Sequence, residues 1–186
     1  MTQIQQTELD GVLLLEPQVF GDERGFFLET FRHTRVDDDR FDGPFVQHNH
    51  SRSRHGVLRG LHYQLEQPQG KLVRCARGAI WDVAVDIRPD SPNFGKYTAA
   101  ILDDDNHRQL YVRPGFAHGF VVLSDVADVI YLCTDYYHPQ SEAGIAWNDP
   151  EVGIDWPVEQ LEMDEPLLSQ KDLGWPTLAD QERLPE

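Results

Sequence analysis

The chain has 186 residues, a length that fits one domain with a core large enough to be stable alone. Its 32 acidic side chains outnumber the 16 basic ones, and the formal net charge of −16 argues against nucleic acid and anionic membranes as partners. No apolar run approaches the ~20 residues of a membrane span, and residues 1–10 lack the charged and apolar regions of a signal peptide. We therefore expect a cytoplasmic protein.

Short segments rich in β-branched and aromatic residues recur between Gly, Pro and Asp residues over the first three quarters of the chain. Many short strands at this spacing, with no long helical period between them, predict an all-β fold, an antiparallel sandwich or barrel. In chain order, the predicted strands cover residues 12–15, 26–31, 57–65, 72–76, 80–87, 97–102, 109–112, 119–123 and 129–135.

Alternation of apolar and polar residues is clearest in the strand predicted over 80–87. There the odd-numbered side chains are apolar, and Asp82 and Asp86 lie on the other face, so one face is expected to pack and the other to be polar. The same period of two assigns His62 and Tyr131 to defined faces of their own strands. A mostly enclosed barrel would let both side chains point into a common cavity.

Beyond residue 139 the strand pattern fades into Pro-rich and acidic sequence with tryptophans at 147, 156 and 175. We interpret this part as an irregular tail with a helical turn or two, pinned to the body by its aromatic side chains. The prediction is a single domain over 1–186, with a core at about 9–138 and a C-terminal wrap at about 139–186. Cys75 and Cys133 lie in apolar strand-like stretches, which favours buried thiols over a disulfide.

One window of the chain reverses the sign of the overall charge. Between residues 52 and 77 there are six basic side chains and a single acid, Glu66, which is the composition of an anion-binding site. His62 lies in the same window, so a titratable imidazole accompanies the cations that would hold a negatively charged ligand. The window therefore offers ligand binding and proton transfer together.

The histidines also suggest a metal site. His48 and His50 form half of the His-x-His metal pattern of cupins, and His118 could supply a further ligand. No Glu follows His50 within a few residues, and the cations that follow instead oppose a bound divalent ion. We therefore expect no metal and keep a metal-dependent cupin oxygenase or isomerase as an alternative.

Seven short blocks of the sequence form an ordered set, and the resemblance that they carry covers the chain from about residue 9 to about residue 178. They are residues 21–27 (GDERGFF), 57–64 (VLRGLHYQ), 69–74 (QGKLVR), 82–86 (DVAVD), 115–120 (GFAHGF), 133–137 (CTDYY) and 147–150 (WNDP). Together they resemble the dTDP-4-dehydrorhamnose 3,5-epimerase family, and they follow that family's order.

The resemblance implies a cupin-type jelly roll, usually a homodimer, that works without a metal or another cofactor. Its substrate would be dTDP-4-dehydro-6-deoxy-D-glucose, inverted at C3 and C5 to give dTDP-4-dehydro-L-rhamnose on the way to dTDP-L-rhamnose. By motif, His62 matches the proton-abstracting base, Tyr131 the proton donor and Asp172 the carboxylate that pairs with the histidine. The positions that match substrate-binding residues are Arg24, Glu29, Gln47, His48, Asn49, Arg59, Lys71, His118, Glu142 and Lys171.

The reaction explains why these residue types would be needed. Both carbons flank the C4 ketone, so loss of either proton gives an enolate whose charge rests on the C4 oxygen. A neutral imidazole, with a pKa near ~6.5, can act as a base, and a carboxylate on its far nitrogen fixes the tautomer. We expect Asp172 in that role, with Asp82 in reserve, and Lys71 as the catalytic residue that stabilises the oxyanion. Inversion requires the returning proton to arrive on the opposite face, where Tyr131 would supply it.

The diphosphate of such a substrate would explain the cation cluster, because guanidinium groups bind phosphate oxygens in bidentate fashion. Arg24 and Arg59 are the expected clamps, and Tyr136 or Phe27 is expected to stack on the thymine. Two further alternatives stay open from the sequence. One is a relative that inverts only C5 or only C3 in another dTDP-deoxysugar pathway, and the other is a jelly roll that binds a nucleotide sugar without catalysis.

Overall fold

The computed structural model describes residues 2–182 and 184 of the chain. Its regular structure is almost entirely β, with short 3₁₀ turns between strands and in the C-terminal segment. The strands are β1 (Gln3–Gln6), β2 (Val12–Glu16), β3 (Val19–Asp22), β4 (Gly25–Leu28), β5 (Gln47–Arg54), β6 (Leu58–Gln64), β7 (Lys71–Arg77), β8 (Ala79–Asp86), β9 (Tyr97–Asp103), β10 (Gln109–Val112), β11 (Phe116–Val122), β12 (Val126–Cys133) and β13 (Glu142–Gly144).

The strands assemble into two antiparallel sheets and a separate hairpin. One sheet has the order β1-β2-β10-β7-β12-β5, and the other has the order β13-β6-β11-β8-β9. Strands β3 and β4 form a hairpin of their own. Apart from the consecutive pairs β1–β2 and β8–β9, neighbours within the sheets come from distant parts of the chain, as in a sandwich whose strands cross between layers. The predicted all-β antiparallel sandwich is confirmed.

The main core lies between the two sheets, because one apolar cluster contains buried residues of both. Val73 and Val129 of the six-stranded sheet pack there with Ala84 and Phe120 of the five-stranded sheet. A second cluster lies on the outer face of the five-stranded sheet, where Trp156 of the C-terminal segment packs with residues of β6, β8 and β11. The five-stranded sheet is therefore buried on both faces.

Strand β8 shows what this double burial means for its carboxylates. Asp82 and Asp86 lie on the face opposite Val83 and Val85, as the alternation predicts, but all four are fully buried. Buried carboxylates need partners. Asp86 receives hydrogen bonds from Arg88 and Ser91 at the end of the strand, and Asp82 binds a histidine inside the sandwich.

The C-terminal segment after β13 is irregular and is held against β6 by backbone hydrogen bonds. The Leu58 N–H donates to the Leu167 carbonyl at 2.9 Å, and the Leu167 N–H donates to the Gly56 carbonyl at 2.8 Å. Farther along, Asp149 accepts the Leu178 N–H at 2.7 Å. These contacts bring the 3₁₀ turn Asp172–Gly174 against the back of β6.

Two further features of the structure concern its cysteines and its helices. Cys75 and Cys133 are buried free thiols, as the sequence indicated. In residues 2–182 and 184, no helix has the length and apolar character that crossing a membrane requires.

Candidate active site

A cavity of about 300 Å³ opens between the two sheets, and three of the four predicted catalytic side chains line it. His62 comes from β6 in the five-stranded sheet, whereas Lys71 and Tyr131 come from β7 and β12 in the six-stranded sheet. The imidazole and the phenol therefore reach the cavity from opposing walls. Its other lining residues are Gln47, Asn49, Tyr63, Gln64, Pro68, Gln69, Gly115, Phe116, Tyr137 and Glu142.

His62 is hydrogen-bonded to a carboxylate of the C-terminal segment. Its Nε2 lies 2.5 Å from Oδ1 of Asp172, which is 110 residues away in sequence. Burial opposes ionisation of this carboxyl, but hydrogen bonds from His62 and Ser169 outweigh it and hold the pKa of Asp172 below its ordinary value. An ionised carboxylate keeps the imidazole proton on Nε2 and leaves the lone pair of Nδ1 available as a base. The ring of Trp175 meets the His62 ring edge to face at 6.0 Å and restrains it further.

Asp82, the reserve candidate for this role, pairs with His118 instead. His118 lies opposite His62 in the pairing of β11 with β6. Its Nε2 lies 2.9 Å from Oδ1 of Asp82, and both residues are buried. The sandwich therefore contains two adjacent histidine–carboxylate pairs, and only that of His62 borders the cavity.

Lys71 brings a cation into the interior of the sandwich. Burial lowers the pKa of Lys71 below its ordinary value, while Cys133, Asp82 and Glu142 act in the opposite direction. Its strand neighbour Cys133 lies directly opposite it on β12. A positive charge at a site shielded from water acts strongly on a developing oxyanion because little solvent screens it.

Tyr131 is half-buried on β12, opposite Asn49 of β5. Burial raises the pKa of the Tyr131 phenol, Cys133 and Glu142 add to that rise, and the cation of Arg59 opposes it. The phenol therefore keeps its proton at neutral pH and is able to donate it. The Tyr131 side chain lies in the cavity lining, on the wall opposite His62, as the alternation in the sequence predicts.

The mouth of the cavity carries a small network around Glu142. The Glu142 carboxylate accepts hydrogen bonds from the Tyr137 hydroxyl and from Lys171 Nζ, the latter at 2.5 Å. Burial opposes ionisation of Glu142, but these bonds outweigh it and lower its pKa. The bond to Glu142 is also the main reason that the pKa of Tyr137 rises to about 12. Glu142 and Lys171, both predicted to bind substrate, thus meet at the entrance.

Tyr137 lines the cavity, but the sequence did not single it out. The aromatic residue expected to stack on the thymine was Tyr136 or Phe27. Tyr136 is exposed and does not line the cavity, and Phe27 projects from the hairpin β3–β4. Tyr137 lies past the end of β12, where the period of two no longer applies, so no sequence signal separated it from Tyr136.

Of the ten predicted substrate-binding residues, four line the cavity of a single chain: Gln47, Asn49, Lys71 and Glu142. His48 is exposed on the outer face of β5, between Gln47 and Asn49, so its side chain lies outside the cavity. Arg24 lies at the turn of the hairpin β3–β4 and pairs with Asp22. Glu29 binds Arg32 and Arg35 beside that hairpin.

Arg59 lies near the cavity without lining it. Its side chain is largely exposed, and its Nε donates to the hydroxyl of Ser53 on β5 at 2.9 Å. Its charge is close enough to Tyr131 to act on the phenol. Because its Nη atoms carry further donors, Arg59 is placed to bind an anion at the edge of the sandwich.

The histidines of the metal alternative lie apart. His48 and His50 share the outer face of β5, where His50 approaches Asp128, and His118 is buried with Asp82. Within the part of the chain that the structure describes, no group of three or more His, Cys, Asp or Glu side chains is placed to hold a metal ion. The donor set of a cupin metal centre is therefore not assembled from these residues.

Comparison with known proteins identifies the family of the chain. The family model described as dTDP-4-dehydrorhamnose 3,5-epimerase matches residues 6–180. The dTDP-4-dehydrorhamnose 3,5-epimerase of Escherichia coli (strain K12) is 51% identical over 181 residues, which cover 96% of each chain. A dTDP-6-deoxy-D-glucose-3,5-epimerase from Legionella pneumophila, solved with dTDP-4-keto-L-rhamnose, is 49% identical and superposes with a TM-score of 0.92 over 97% of this chain and 94% of the other.

A more distant relative has a narrower reaction. A 3'-monoepimerase from Streptomyces bikiniensis, solved with dTDP-quinovose, is 36% identical and has a TM-score of 0.83 over 93% of this chain and 86% of its own. The shared fold confirms the predicted cupin-type jelly roll. The match of one family model to nearly the whole chain, together with about half of all residues identical to those of known members, shows that the chain belongs to the dTDP-4-dehydrorhamnose 3,5-epimerase family.

Proposed function

We propose that this chain inverts C3 and C5 of dTDP-4-dehydro-6-deoxy-D-glucose to give dTDP-4-dehydro-L-rhamnose. The observation that supports this most directly is the cavity in which His62 and Tyr131 approach from opposing sheets beside Lys71. Inversion at carbon needs a base on one face and an acid on the other, and the two walls offer one of each. Relatives that invert both carbons are 49% and 51% identical to the chain, against 36% for the 3'-monoepimerase.

In the proposed mechanism, Nδ1 of His62 removes the proton from a carbon next to the C4 ketone. The bond electrons move toward the C4 oxygen and form an enolate. Asp172 stabilises the imidazolium that results, because its carboxylate lies on Nε2. Lys71 stabilises the enolate oxygen, a contribution of about 3 kcal/mol for a well-placed donor. Tyr131 then protonates the carbon from the other wall, and no metal or cofactor takes part.

The nucleotide would extend from the sugar toward the mouth of the cavity. We propose that Gln47 and Asn49 bind it from β5 and that Arg59 holds its diphosphate. Glu142 and Lys171 would bind it at the entrance, and His118, which does not line the cavity, would act on the sugar through its strand neighbour His62. Tyr137 is the aromatic side chain at the entrance and is the one we assign to stacking on the thymine.

A homodimer is part of the proposal. The hairpin β3–β4 exposes Phe20, Phe26 and Phe27, the last of them 71% exposed, and a monomer rarely leaves such a group in water. Arg24 sits at the turn of that hairpin, and Glu29 follows its second strand. A second copy that packed against the hairpin would cover the phenylalanines. The hairpin would then bring Arg24 and Glu29 to the cavity of the second copy, because neither residue reaches the cavity of its own chain.

The dimer has its own measurement. Light scattering coupled to size exclusion should give twice the mass of one chain for the unaltered protein, and Phe27→Glu should shift it toward monomer with a loss of activity. Arg24→Ala should leave the mass unchanged and raise KM, because the guanidinium would bind diphosphate rather than hold the interface.

The remaining parts of the proposal concern organisation and setting. We propose that residues 1–186 act as one domain, since the wrap at about 139–186 contributes Asp172 to a histidine of the core at about 9–138. A cytoplasmic location is supported by the two free buried thiols, which suit a reducing compartment. The net charge of −16 supports the absence of nucleic acid and anionic membranes among the partners.

Deuterium incorporation tests the function. The purified protein is incubated with dTDP-4-dehydro-6-deoxy-D-glucose in heavy water, and the label is located by NMR. We expect label at C3 and C5 with the unaltered protein and none with His62→Ala. Label at one carbon only would assign the chain to the C3-only or C5-only alternative, and an unlabelled, bound ligand would make it a binding protein.

A further inference from the structure

The carboxylate of Asp172 is held on both of its oxygens. Oδ1 faces His62 Nε2, and Oδ2 accepts a hydrogen bond of 2.7 Å from the hydroxyl of Ser169. The same hydroxyl accepts the backbone N–H of Asp172 at 3.1 Å. The backbone N–H of Gly60 also hydrogen-bonds the carboxyl. One serine hydroxyl thus fixes both the backbone and the side chain of the residue that orients the imidazole.

This contact matters because regular structure does little to fix Asp172. The residue begins a 3₁₀ turn in the irregular C-terminal segment, so no strand pairing sets its position. The terminal torsion of an aspartate is also broad, and the carboxylate can rotate unless its oxygens are bound. A rotated carboxylate would no longer hold the imidazole proton on Nε2 in the plane of the ring.

We propose that Ser169 is a positioning residue of the reaction, which orients Asp172 so that His62 presents the lone pair of Nδ1 to the substrate. This inference rests on the proposed function. Ser169 does not line the cavity and touches no substrate in this geometry. It acts through Asp172, and Asp172 acts through His62.

The exposure of Ser169 separates orientation from stability. Because the residue is exposed, water can replace its hydrogen bond to Asp172 when the hydroxyl is removed. Water satisfies the carboxylate but does not fix its rotation. Loss of the hydroxyl should therefore reduce the rate of proton transfer and change the melting temperature little.

The chain provides a matched control in the same segment. Thr177 donates from its hydroxyl to the Asp180 carboxylate at 2.9 Å with the same spacing of three residues. Among the described residues, Asp180 pairs with no histidine, and the Thr177–Asp180 pair lies outside the cavity lining. Thr177→Ala therefore removes an equivalent bond without touching the His62 pair.

The experiment compares Ser169→Ala, Ser169→Thr and Thr177→Ala with the unaltered protein. For Ser169→Ala we expect kcat to fall about 10–100-fold, as for other residues that orient a functional histidine, with KM within about twofold. Ser169→Thr keeps the hydroxyl and should restore most of kcat. Thr177→Ala should match the unaltered protein.

Proton NMR gives a readout that does not depend on turnover. The Nε2–H of His62, bonded to Asp172, should give a downfield resonance that Ser169→Ala broadens or abolishes and that Ser169→Thr and Thr177→Ala retain. The proposal is overturned if Ser169→Ala keeps both the resonance and kcat, or if its loss of activity equals its loss of folded protein. If the unaltered protein fails to exchange deuterium into the sugar, the proposed function falls, and the resonance alone still decides whether Ser169 orders the pair.

Discussion

His62 lies opposite His118 in the antiparallel pairing of β6 with β11, yet each histidine binds a different carboxylate. Asp172 reaches His62 from the C-terminal segment, and Asp82 reaches His118 from the neighbouring strand β8. Both pairs consist of a histidine and an aspartate, but of the two histidines only His62 borders the cavity. The proton-transfer role is therefore expected to follow the pair that the tail completes.

Amide substitution distinguishes the two pairs. In Asp172→Asn the side chain can donate an N–H to His62 Nε2, which places the imidazole proton on Nδ1 and blocks the base. Deuterium exchange should fall by about 10³-fold or more. Asp82→Asn should change exchange far less, because it leaves the His62 pair intact and acts on His118 and on the charge of Lys71. Equal losses in the two variants would mean that both pairs take part in proton abstraction.

The location of these side chains could be predicted from the sequence to different degrees. Tyr131 lies on the interior face that it shares with Val129, as the period of two assigns, because a regular strand fixes which way its residues point. His62 also lines the cavity, but a register shift in β6 between Arg59 and His62 interrupts the period there. Asp172 was expected only from the family resemblance, since 110 residues and an irregular segment separate it from His62. No local pattern reports a contact of that kind.

Strand β5 shows why an element that forms the site can escape prediction. Its residues, Gln47–Arg54, are polar on both faces, since the outer face is exposed and Gln47 and Asn49 line the cavity. Hydrophobic alternation is therefore absent. Strand β10 was predicted at its observed bounds. All four of its residues are buried, and its sequence is accordingly mostly apolar, which is the pattern that predicts a strand.

Tyr131 is expected to separate exchange from inversion. Burial raises the pKa of its phenol, so it carries a proton at neutral pH and can deliver it to the face opposite His62. In Tyr131→Phe the base is intact, and the enolate can still form and be reprotonated on its original face. Inverted product should fall about 10²-fold while deuterium wash-in falls less.

NMR of the sugar in heavy water measures both quantities in one sample. Tyr136→Phe is the control, because Tyr136 is exposed and lies outside the cavity lining. Parallel losses of exchange and inversion in Tyr131→Phe would assign the phenol to substrate binding instead of proton return.

The alkaline limb of the pH profile should belong to Lys71. Burial lowers the pKa of Lys71 from the ordinary 10.5 and raises that of Tyr131 from the ordinary 10.0, so both shifts favour loss of the lysine proton before that of the phenol. A plot of kcat/KM against pH should fall on the alkaline side below 10.5. Lys71→Arg should remove that limb, since a guanidinium stays charged, and Tyr131→Phe should leave it in place. A limb that disappears with the phenol would reverse the assignment.

Lys71 should also lower the stability of the protein that uses it. A lysine whose pKa is lower in the folded state than in the unfolded chain binds fewer protons when folded, so stability rises with pH between the two values. Below that window the full penalty of the buried charge is present.

Lys71→Met, which keeps the length of the side chain and removes the charge, should therefore melt at a higher temperature than the unaltered protein at pH 7 and lose this advantage as the pH approaches 10.5. Lys96→Met, at an exposed lysine bonded to Asn93, should show neither effect. Calorimetry across this pH range makes the comparison, and a Lys71→Met variant that melts lower than the unaltered protein at pH 7 would show that the charge is fully compensated by the carboxylates of Asp82 and Glu142.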